Sequence, residues 1–151
     1  MKHVAGFTLV ELLAVLVVLG MVSLMAWPVF NRTLANHQLR QTAEQMAWEL
    51  RAQQQEAIAF GSSRQIEFSL YGNYYNVLKP ELRRVYLPEK IRFHYITIPK
   101  TGGNRYLLDF DILGRPNLGG TIALKNEFGS EQYVIITPVI GRIRISDKPP
   151  E

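Results

Sequence analysis

The architecture of this chain is decided by residues 7–30, which read FTLVELLAVLVVLGMVSLMAWPVF. Of these 24 residues, 19 are hydrophobic, and no charged residue follows Glu11 within the segment. A hydrocarbon layer about 30 Å thick is crossed by about 20 helical residues, so this segment is long enough to span a membrane. A buried core helix would be shorter and amphipathic, and a cleaved secretory signal would have about 7–15 apolar residues before a small-residue site. We therefore predict a membrane-spanning helix.

Glu11 is the unusual residue of this segment. A carboxylate inside an apolar helix costs about 2.5–3.5 kcal/mol on membrane-insertion scales, so a compensating positive charge is expected. Cleavage between Gly6 and Phe7 would place a new terminal ammonium one helical turn from Glu11. That ammonium would pair with Glu11 of its own chain or of a neighbouring copy.

The stretch Gly6-Phe7-Thr8-Leu9-Val10-Glu11-Leu12 resembles the processing motif of type IV pilins and of the pseudopilins of type II secretion and competence systems. The resemblance implies that residues 1–6 are a leader peptide, which a prepilin peptidase removes after Gly6 before Phe7 is methylated. It also implies that Glu11 neutralises the terminus of a neighbouring subunit when residues 7–30 assemble. Other pilin subunits and an inner-membrane assembly platform are the partners that it implies.

The position of the single basic residue of the leader predicts the topology. Lys2 precedes the apolar segment, which favours an N-terminus in the cytoplasm and a C-terminal domain outside the inner membrane. The subunit would then enter a periplasmic or extracellular filament. Within the helix, Gly20, Ser23 and Pro28 interrupt the apolar run, and Pro28 predicts a kink because proline lacks a backbone donor. In pilins this region bends or melts in the filament; a passive kink near the membrane surface is the alternative.

Residues 31–60 show the pattern of an amphipathic helix that ends near Gly61. Its apolar positions follow steps of three and four, interrupted at Gln53/Gln54, and are Leu39, Ala43, Met46, Leu50, Ala57 and Phe60. Its predicted outward face carries Arg40, Glu44, Glu49, Arg51 and Glu56. The apolar stripe must be buried against another element, and the sequence downstream supplies a sheet.

Residues 61–151 alternate apolar and polar side chains in short segments that turn residues separate, which predicts antiparallel strands. The predicted strands cover residues 65–70, 74–78, 91–95, 106–112, 121–125, 132–137 and 141–146, with the first two as a hairpin. An irregular stretch follows Pro80, and Lys100 to Asn104 is predicted as a loop. The fold class is therefore α+β, with a long N-terminal helix, membrane-spanning in its first half and amphipathic in its second, packed on an antiparallel sheet domain as in pilins.

Within the pilin family, the order of several short motifs resembles minor pilins and pseudopilins of the GspH/FimT type. These motifs are Leu87-Pro88, Phe110 with Gly114, Gly119 to Ile122, and Gly141 to Ile145. Competence pseudopilins look similar over the same span. The residues do not separate type II secretion, a type IV pilus and competence.

The sequence carries no pattern of enzyme chemistry. It has no cysteine, its three histidines lack metal-ligand spacing, and it has no P-loop, dinucleotide fingerprint or nucleophile elbow. We predict a protein that is not an enzyme and that has no cofactor and no metal centre. Asp109 and Asp111 share a strand face and offer oxygens to a calcium ion, but solvated edge residues are the commoner arrangement.

A basic element near the C-terminus suggests a second function. The net charge is +4, and residues 61–151 hold the excess, with thirteen Lys/Arg against nine Asp/Glu. In a strand, Arg142 and Arg144 share one face and are able to grip successive phosphates. This Gly-Arg-x-Arg element is similar to one associated with DNA capture in DNA-uptake minor pilins of the FimT branch. Arg83, Arg84 and Lys148 would enlarge the patch; the alternative is a solvated face whose arginines pair with Glu131 or Asp147.

These observations favour a structural function, that of a minor pilin or pseudopilin in a type IV filament machine. A DNA-binding minor pilin for DNA uptake is the competing hypothesis. A signal-anchored domain that never polymerises is the third, and it would leave Glu11 without a partner.

Overall fold

A computed structural model describes residues 8–79 and 81–150, with all of their side chains except those of Met25 and Ala26. The chain forms two compact units, which divide between Leu34 and Ala35. In the described ranges, one helix and nine strands are present: α1 Leu9–Phe60, β1 Arg64–Ser69, β2 Tyr74–Val77, β3 Arg83–Tyr86, β4 Ile91–Ile96, β5 Lys100–Gly102, β6 Arg105–Phe110, β7 Gly120–Asn126, β8 Glu131–Ile136 and β9 Ile143–Ser146.

The second half of α1 buries one stripe of small and aliphatic side chains. Its buried positions are Ala35, Leu39, Ala43, Met46, Ala47, Leu50, Gln53 and Ala57. The prediction that Phe60 belongs to this stripe is wrong, because α1 ends there and 71% of the side chain is exposed. Gly61 then turns the chain with a φ of 58°, a conformation that glycine adopts without steric cost. The Phe60 ring instead lies 5.6 Å from the guanidinium of Arg64.

The strands form two antiparallel sheets. One has the order β3-β2-β1-β6-β5 and the other β4-β7-β8-β9. The predicted hairpin is confirmed by the pairing of β1 with β2, in which Ile66 lies opposite Val77. Two edge strands were not predicted. The side chains of β3 are exposed except for half-buried Val85, and β5 has three residues, so neither shows the alternation that identifies a strand.

The inner faces of both sheets and the helix stripe share one hydrophobic core. Its largest fully buried side chains are Phe68, Phe110, Leu39, Met46, Leu50, Ile66, Ile91, Ile98, Leu108, Ile122, Leu124 and Ile136. The core therefore joins the second half of α1 to the antiparallel sheets, which confirms the predicted α+β class.

The two glutamines that interrupt the apolar pattern have different environments. Gln53 follows the buried stripe, and its Oε1 is buried without a hydrogen-bond partner in the described chain. Gln54 donates from Nε2 to the carbonyl oxygens of Gly114, at 2.8 Å, and Gly141, at 3.2 Å. Gln54 thus ties α1 to the β6–β7 and β8–β9 connections, a tertiary function that helical periodicity does not reveal.

Candidate assembly helix and arginine pair

Thr8 caps the helix that begins at Leu9. Its hydroxyl oxygen accepts a hydrogen bond from the backbone N–H of Glu11 at 3.2 Å, and its carbonyl accepts from Leu12 N at 3.1 Å. A Thr-x-x-Glu pattern is a recognised signature of a helix start, which the sequence reasoning missed. Glu11 therefore lies in the first turn, where the positive end of the helix dipole favours a carboxylate. The predicted processing residues Gly6 and Phe7 lie outside the described residues.

The apolar half of α1 exposes its described side chains to solvent. Every described side chain from Leu9 to Phe30 is exposed. An 18-residue window reaches a mean hydropathy of 2.6, and none of it is buried. Exposing so many aliphatic side chains to water is unfavourable in free energy, so this segment requires lipid or other apolar helices around it. By length and composition, the helix is able to cross a membrane.

The residues that interrupt the apolar run all lie inside α1. Apart from its chain neighbours and the backbone of its own helix, no described atom lies within 4 Å of the position that a Gly20 side chain would take, and Pro28 is within the helix. The hydroxyls of Ser23 and Thr33 donate to the carbonyls four residues earlier, at 2.8 Å and 3.0 Å. Such bonds satisfy these polar groups without a partner helix. The predicted kink at Gly20 and Pro28 stays a prediction.

Arg142 and Arg144 lie at the edge of the four-stranded sheet, Arg144 within β9 and Arg142 directly before that strand begins at Ile143. Gly141 and Ile143 are buried, whereas Arg142 and Arg144 are exposed. Neither guanidinium forms an ion pair within residues 8–79 and 81–150. The pair is therefore presented to solvent with its charge available.

The acidic neighbours proposed as partners of this pair are engaged elsewhere. Glu131 accepts from Lys125 Nζ at 2.9 Å and from the hydroxyl of Tyr133. The bonds from Tyr133 and Lys125 lower the pKa of Glu131, and the bond to Glu131 raises the pKa of Tyr133 to about 12. Asp147 accepts from the amide of Gln132 at 2.8 Å.

Arg83 and Arg84 do not join the arginine pair, because they lie on β3 in the five-stranded sheet. Arg83 binds Glu49 of α1 at 2.6 Å, and this hydrogen bond raises the pKa of Arg83. Arg84 donates to Asn76 Oδ1 at 3.0 Å, and its guanidinium lies 4.2 Å from the centre of the Tyr74 ring. Their contacts give them a structural function at the sheet edge, which the sequence did not predict.

The two aspartates considered for calcium have different environments, because protein donors surround Asp111 but leave one oxygen of Asp109 without a partner among the described residues. Asp111 Oδ1 accepts from the backbone N–H groups of Leu113 and Arg115, at 2.9 Å and 2.8 Å. The backbone bond from Arg115 is the main reason that the pKa of Asp111 is lowered. Asp109 Oδ2 accepts from Gln65 at 3.0 Å, whereas Asp109 Oδ1 is buried without a hydrogen-bond partner among the described residues. Across the described residues, no group of three potential metal ligands is found.

Two comparisons with known proteins agree with this structure. Residues 1–27 match the family model of the prokaryotic N-terminal methylation motif. The fold matches the solved structure of the minor pseudopilin EpsH from the type 2 secretion system of Vibrio cholerae, with a TM-score of 0.57 and 12% identity. The match covers 72% of this chain and 96% of that chain. A comparison with curated proteins finds no match.

The motif and the fold occur in the two halves that the sequence distinguished. The motif match covers residues 1–27, and the structural likeness shows that the fold is like that of a solved minor pseudopilin. The chain therefore combines an N-terminal match to the prokaryotic methylation motif with a fold similar to that of a minor pseudopilin.

Proposed function

We propose that this protein is a minor subunit of a type IV filament machine, with a type II secretion pseudopilus as the favoured machine. The observation that carries the proposal is the exposure of every described side chain from Leu9 to Phe30, followed by a compact domain. A helix this apolar requires lipid before assembly and other apolar helices after it. The likeness to a minor pseudopilin of a type 2 secretion system supports this choice of machine.

In this proposal the chain is cleaved after Gly6 by a prepilin peptidase and methylated at Phe7. It spans the inner membrane with its N-terminus in the cytoplasm and its sheet domain outside. An assembly platform then inserts it into the filament. Glu11 neutralises the terminal ammonium of a neighbouring subunit, since an unpaired carboxylate among apolar helices is unstable.

The test compares Glu11→Ala with Glu11→Asp in the full chain, in cells that assemble the filament. We expect Glu11→Ala to insert in the membrane and to be cleaved, but to be absent from sheared filaments, whereas Glu11→Asp keeps the charge and retains partial incorporation. Both are measured by quantitative immunoblotting of membrane and filament fractions. Normal incorporation of Glu11→Ala would contradict the proposed function of this carboxylate.

A second candidate function, DNA binding during uptake, is favoured by the exposed Arg142 and Arg144, which have no ion-pair partner among the described residues. If both contact phosphates, the logarithm of the binding constant should fall with the logarithm of salt concentration with a slope of about −1.8. Affinity for duplex DNA would then drop about 12-fold between 50 and 200 mM salt. Fluorescence anisotropy with the detergent-solubilised chain measures this.

The matched control for DNA binding is Arg83→Ala with Arg84→Ala, which removes the same charge from the other sheet. We expect the Arg142→Ala/Arg144→Ala variant to lose binding and the control pair to retain most of it. Equal losses in both variants would indicate unspecific attraction to a basic protein and would refute the site.

A further inference from the structure

Two neighbouring loops of the sheet domain carry exposed aliphatic side chains. The β6–β7 loop covers residues 111–119, and the β8–β9 loop covers residues 137–142. Aliphatic side chains this exposed mark a surface that meets an apolar partner when they lie together. We call them the apolar tips; they are 49–77% exposed, and they are Ile112, Leu113, Leu118, Val139 and Ile140.

The two loops lie side by side at the end of the domain where α1 stops. Gln54 Nε2 donates to the carbonyl oxygens of Gly114 and Gly141, one in each loop. A hollow of about 540 Å³ is lined by residues of both loops, among them Leu118 and Val139. The apolar tips are therefore neighbours in space and form one patch.

The β8–β9 loop holds Val139 in a backbone conformation that is unfavourable in free energy. Val139 has a φ of 68°, and the N–H of Ile140 donates to the carbonyl of Pro138 at 2.8 Å. A three-residue turn with a positive central φ is rare and strained, and a β-branched residue at positive φ is an outlier. Glycine, asparagine or aspartate would form such a turn with less strain. Because strained residues cluster at sites that contact ligands or partners, this valine indicates a functional loop.

Both loops bond their own backbone groups. In the β8–β9 loop, Gly141 N donates to Thr137 O at 3.1 Å, and Thr137 N donates to Arg142 O at 2.9 Å. In the β6–β7 loop, Asp111 accepts from three backbone N–H groups of the loop itself. The hydrocarbon side of a lipid surface offers no hydrogen bonds, so a segment enters it at low cost only when its polar groups are bonded internally. The two loops meet this condition.

The border of the apolar tips is positively charged. Arg142 and Arg144 come at the end of the β8–β9 loop, and neither forms an ion pair within residues 8–79 and 81–150. The carboxylates that line the hollow are Asp109 and Asp111, and Asp111 is paired with Arg115 at 2.8 Å. Three arginines thus border the patch against two aspartates, and the two unpaired guanidiniums are able to bind phosphate groups.

Aliphatic tips with a positive border fit the surface of an anionic bilayer. Apolar side chains enter the boundary between head groups and acyl chains to a depth of about 5–10 Å, while arginines bind the lipid phosphates. A nucleic acid also binds arginines, but it offers exposed aliphatic side chains little to contact. Protein interfaces are typically anchored by Trp, Tyr or Arg, and the apolar tips contain no aromatic side chain.

We propose that the apolar tips insert into the interface of an anionic lipid bilayer, with Arg142 and Arg144 on the lipid phosphates. The contact is additional to the membrane-spanning helix and does not depend on the proposed filament function. The sheet domain thereby has a lipid contact of its own.

Vesicle binding by the sheet domain tests the proposal. The buried residues of the main core all lie between Leu39 and Ile143, so residues 35–151 form a compact unit that folds without the apolar segment. We expect this domain to sediment with vesicles of equal parts phosphatidylglycerol and phosphatidylcholine, and far less with phosphatidylcholine alone. Val139→Ser/Ile140→Ser should lower the partition coefficient by about a hundredfold, about tenfold for each aliphatic side chain.

The matched control removes two exposed apolar side chains outside the apolar tips. Leu82 and Phe128 are 68% and 43% exposed, so Leu82→Ser/Phe128→Ser is comparable in chemistry and should leave the partition coefficient unchanged. Circular dichroism of both double variants checks that the domain is folded.

A fluorescent label reports insertion directly. The chain contains no cysteine, so Ile140→Cys accepts a single environment-sensitive fluorophore, with Thr101→Cys on exposed β5 as the control. We expect anionic vesicles to shift the emission of the Ile140→Cys label to the blue and to leave the Thr101→Cys label unchanged. A quencher on the lipid acyl chains should quench the first label and not the second.

Four results would overturn the proposal in vesicle experiments. They are no binding to anionic vesicles, equal binding by Val139→Ser/Ile140→Ser, equal losses in its matched control, and a label on Ile140→Cys that stays in water when the domain is bound. Binding that only Arg142→Ala/Arg144→Ala abolishes would show phosphate attraction without insertion and would also overturn it.

Other occupants of the patch give distinct results. A blue shift that grows with domain concentration in the absence of vesicles would show that a second copy covers the apolar tips, and would overturn the proposal. Loss of duplex DNA binding in Val139→Ser/Ile140→Ser would assign the tips to nucleic acid and would overturn it as well. The Glu11 test of filament assembly is unaffected by any of these results, so the two proposals fail separately.

Discussion

Replacing Gln54 by alanine should loosen the connection between α1 and two turns of the sheet domain. The Gln54 amide donates to Gly114 O at 2.8 Å and to Gly141 O at 3.2 Å, and the side chain is partly buried. Each hydrogen bond contributes about 0.5–1.5 kcal/mol net, so Gln54→Ala should lower the free energy of unfolding by about 1–3 kcal/mol. The loss should come from these two bonds, because alanine is at least as good a helix former as glutamine.

The neighbouring Gln55 provides a matched control for this prediction. Gln55 is exposed and its side chain makes no hydrogen bond within the described chain, so Gln55→Ala repeats the chemical change without the tertiary contacts. Urea unfolding of the detergent-solubilised full chain, followed by near-ultraviolet circular dichroism, measures the difference. If Gln54→Ala is no less stable than Gln55→Ala, the two turns are not held to α1 by this amide.

Three further predictions concern the same domain. Gly141→Ala should destabilise the domain by about 1 kcal/mol or more, because Gly141 has a φ of 67° and the new methyl would meet the Gln54 amide, as urea unfolding would show. In the same assay, Leu50→Ala should lower the free energy of unfolding by about 2–5 kcal/mol and Phe60→Ala by well under half as much, since Leu50 is 1% exposed and Phe60 71%. Equal losses would show that Phe60 is part of the core. The Asp111 pKa lies below its unfolded value of 3.8, so its stabilising bonds are present above that pH and are lost as the pH falls through the folded-state pKa. Asp111→Asn should therefore reduce the acid sensitivity of unfolding, and an unchanged pH profile would show that this carboxylate has no such function.

The membrane segment and its motif were readable from sequence because they depend on local information. Nineteen apolar residues among 24 specify a lipid-compatible helix whatever packs beside it. The Thr8 cap also belongs to a local pattern, Thr-x-x-Glu, although the sequence prediction used only the charge of Glu11. The structure adds the hydrogen bond that the backbone N–H of Glu11 donates to the Thr8 hydroxyl.

The edges of the sheets were less readable. β3 has three exposed positions out of four and β5 has three residues, so neither buries an alternate face. Their strand conformation follows from pairing with β2 and β6, in which Tyr75 lies opposite Val85 and Lys100 lies opposite Tyr106. Pairing between strands distant in sequence leaves little trace in the composition of a short edge strand.

The sequence also predicted some features of the candidate sites and not others. The exposure of Arg142 and Arg144 on either side of buried Ile143 agrees with the two-residue alternation of an extended chain. The separation of this pair from Arg83 and Arg84 does not, because the order of strands assigns them to different sheets.

By itself, the sequence determined an apolar N-terminal helix with a methylation motif, an amphipathic continuation and an antiparallel domain, because periodicity and hydropathy are local properties. Only the tertiary structure decided which polar residues of α1 face the sheets and which face solvent. Gln53 and Gln54 turn inward, while Gln45 and Gln55 are exposed on the same helix. The difference arises from the position of the sheets around α1, because a glutamine amide forms its hydrogen bonds either with water or with a buried carbonyl.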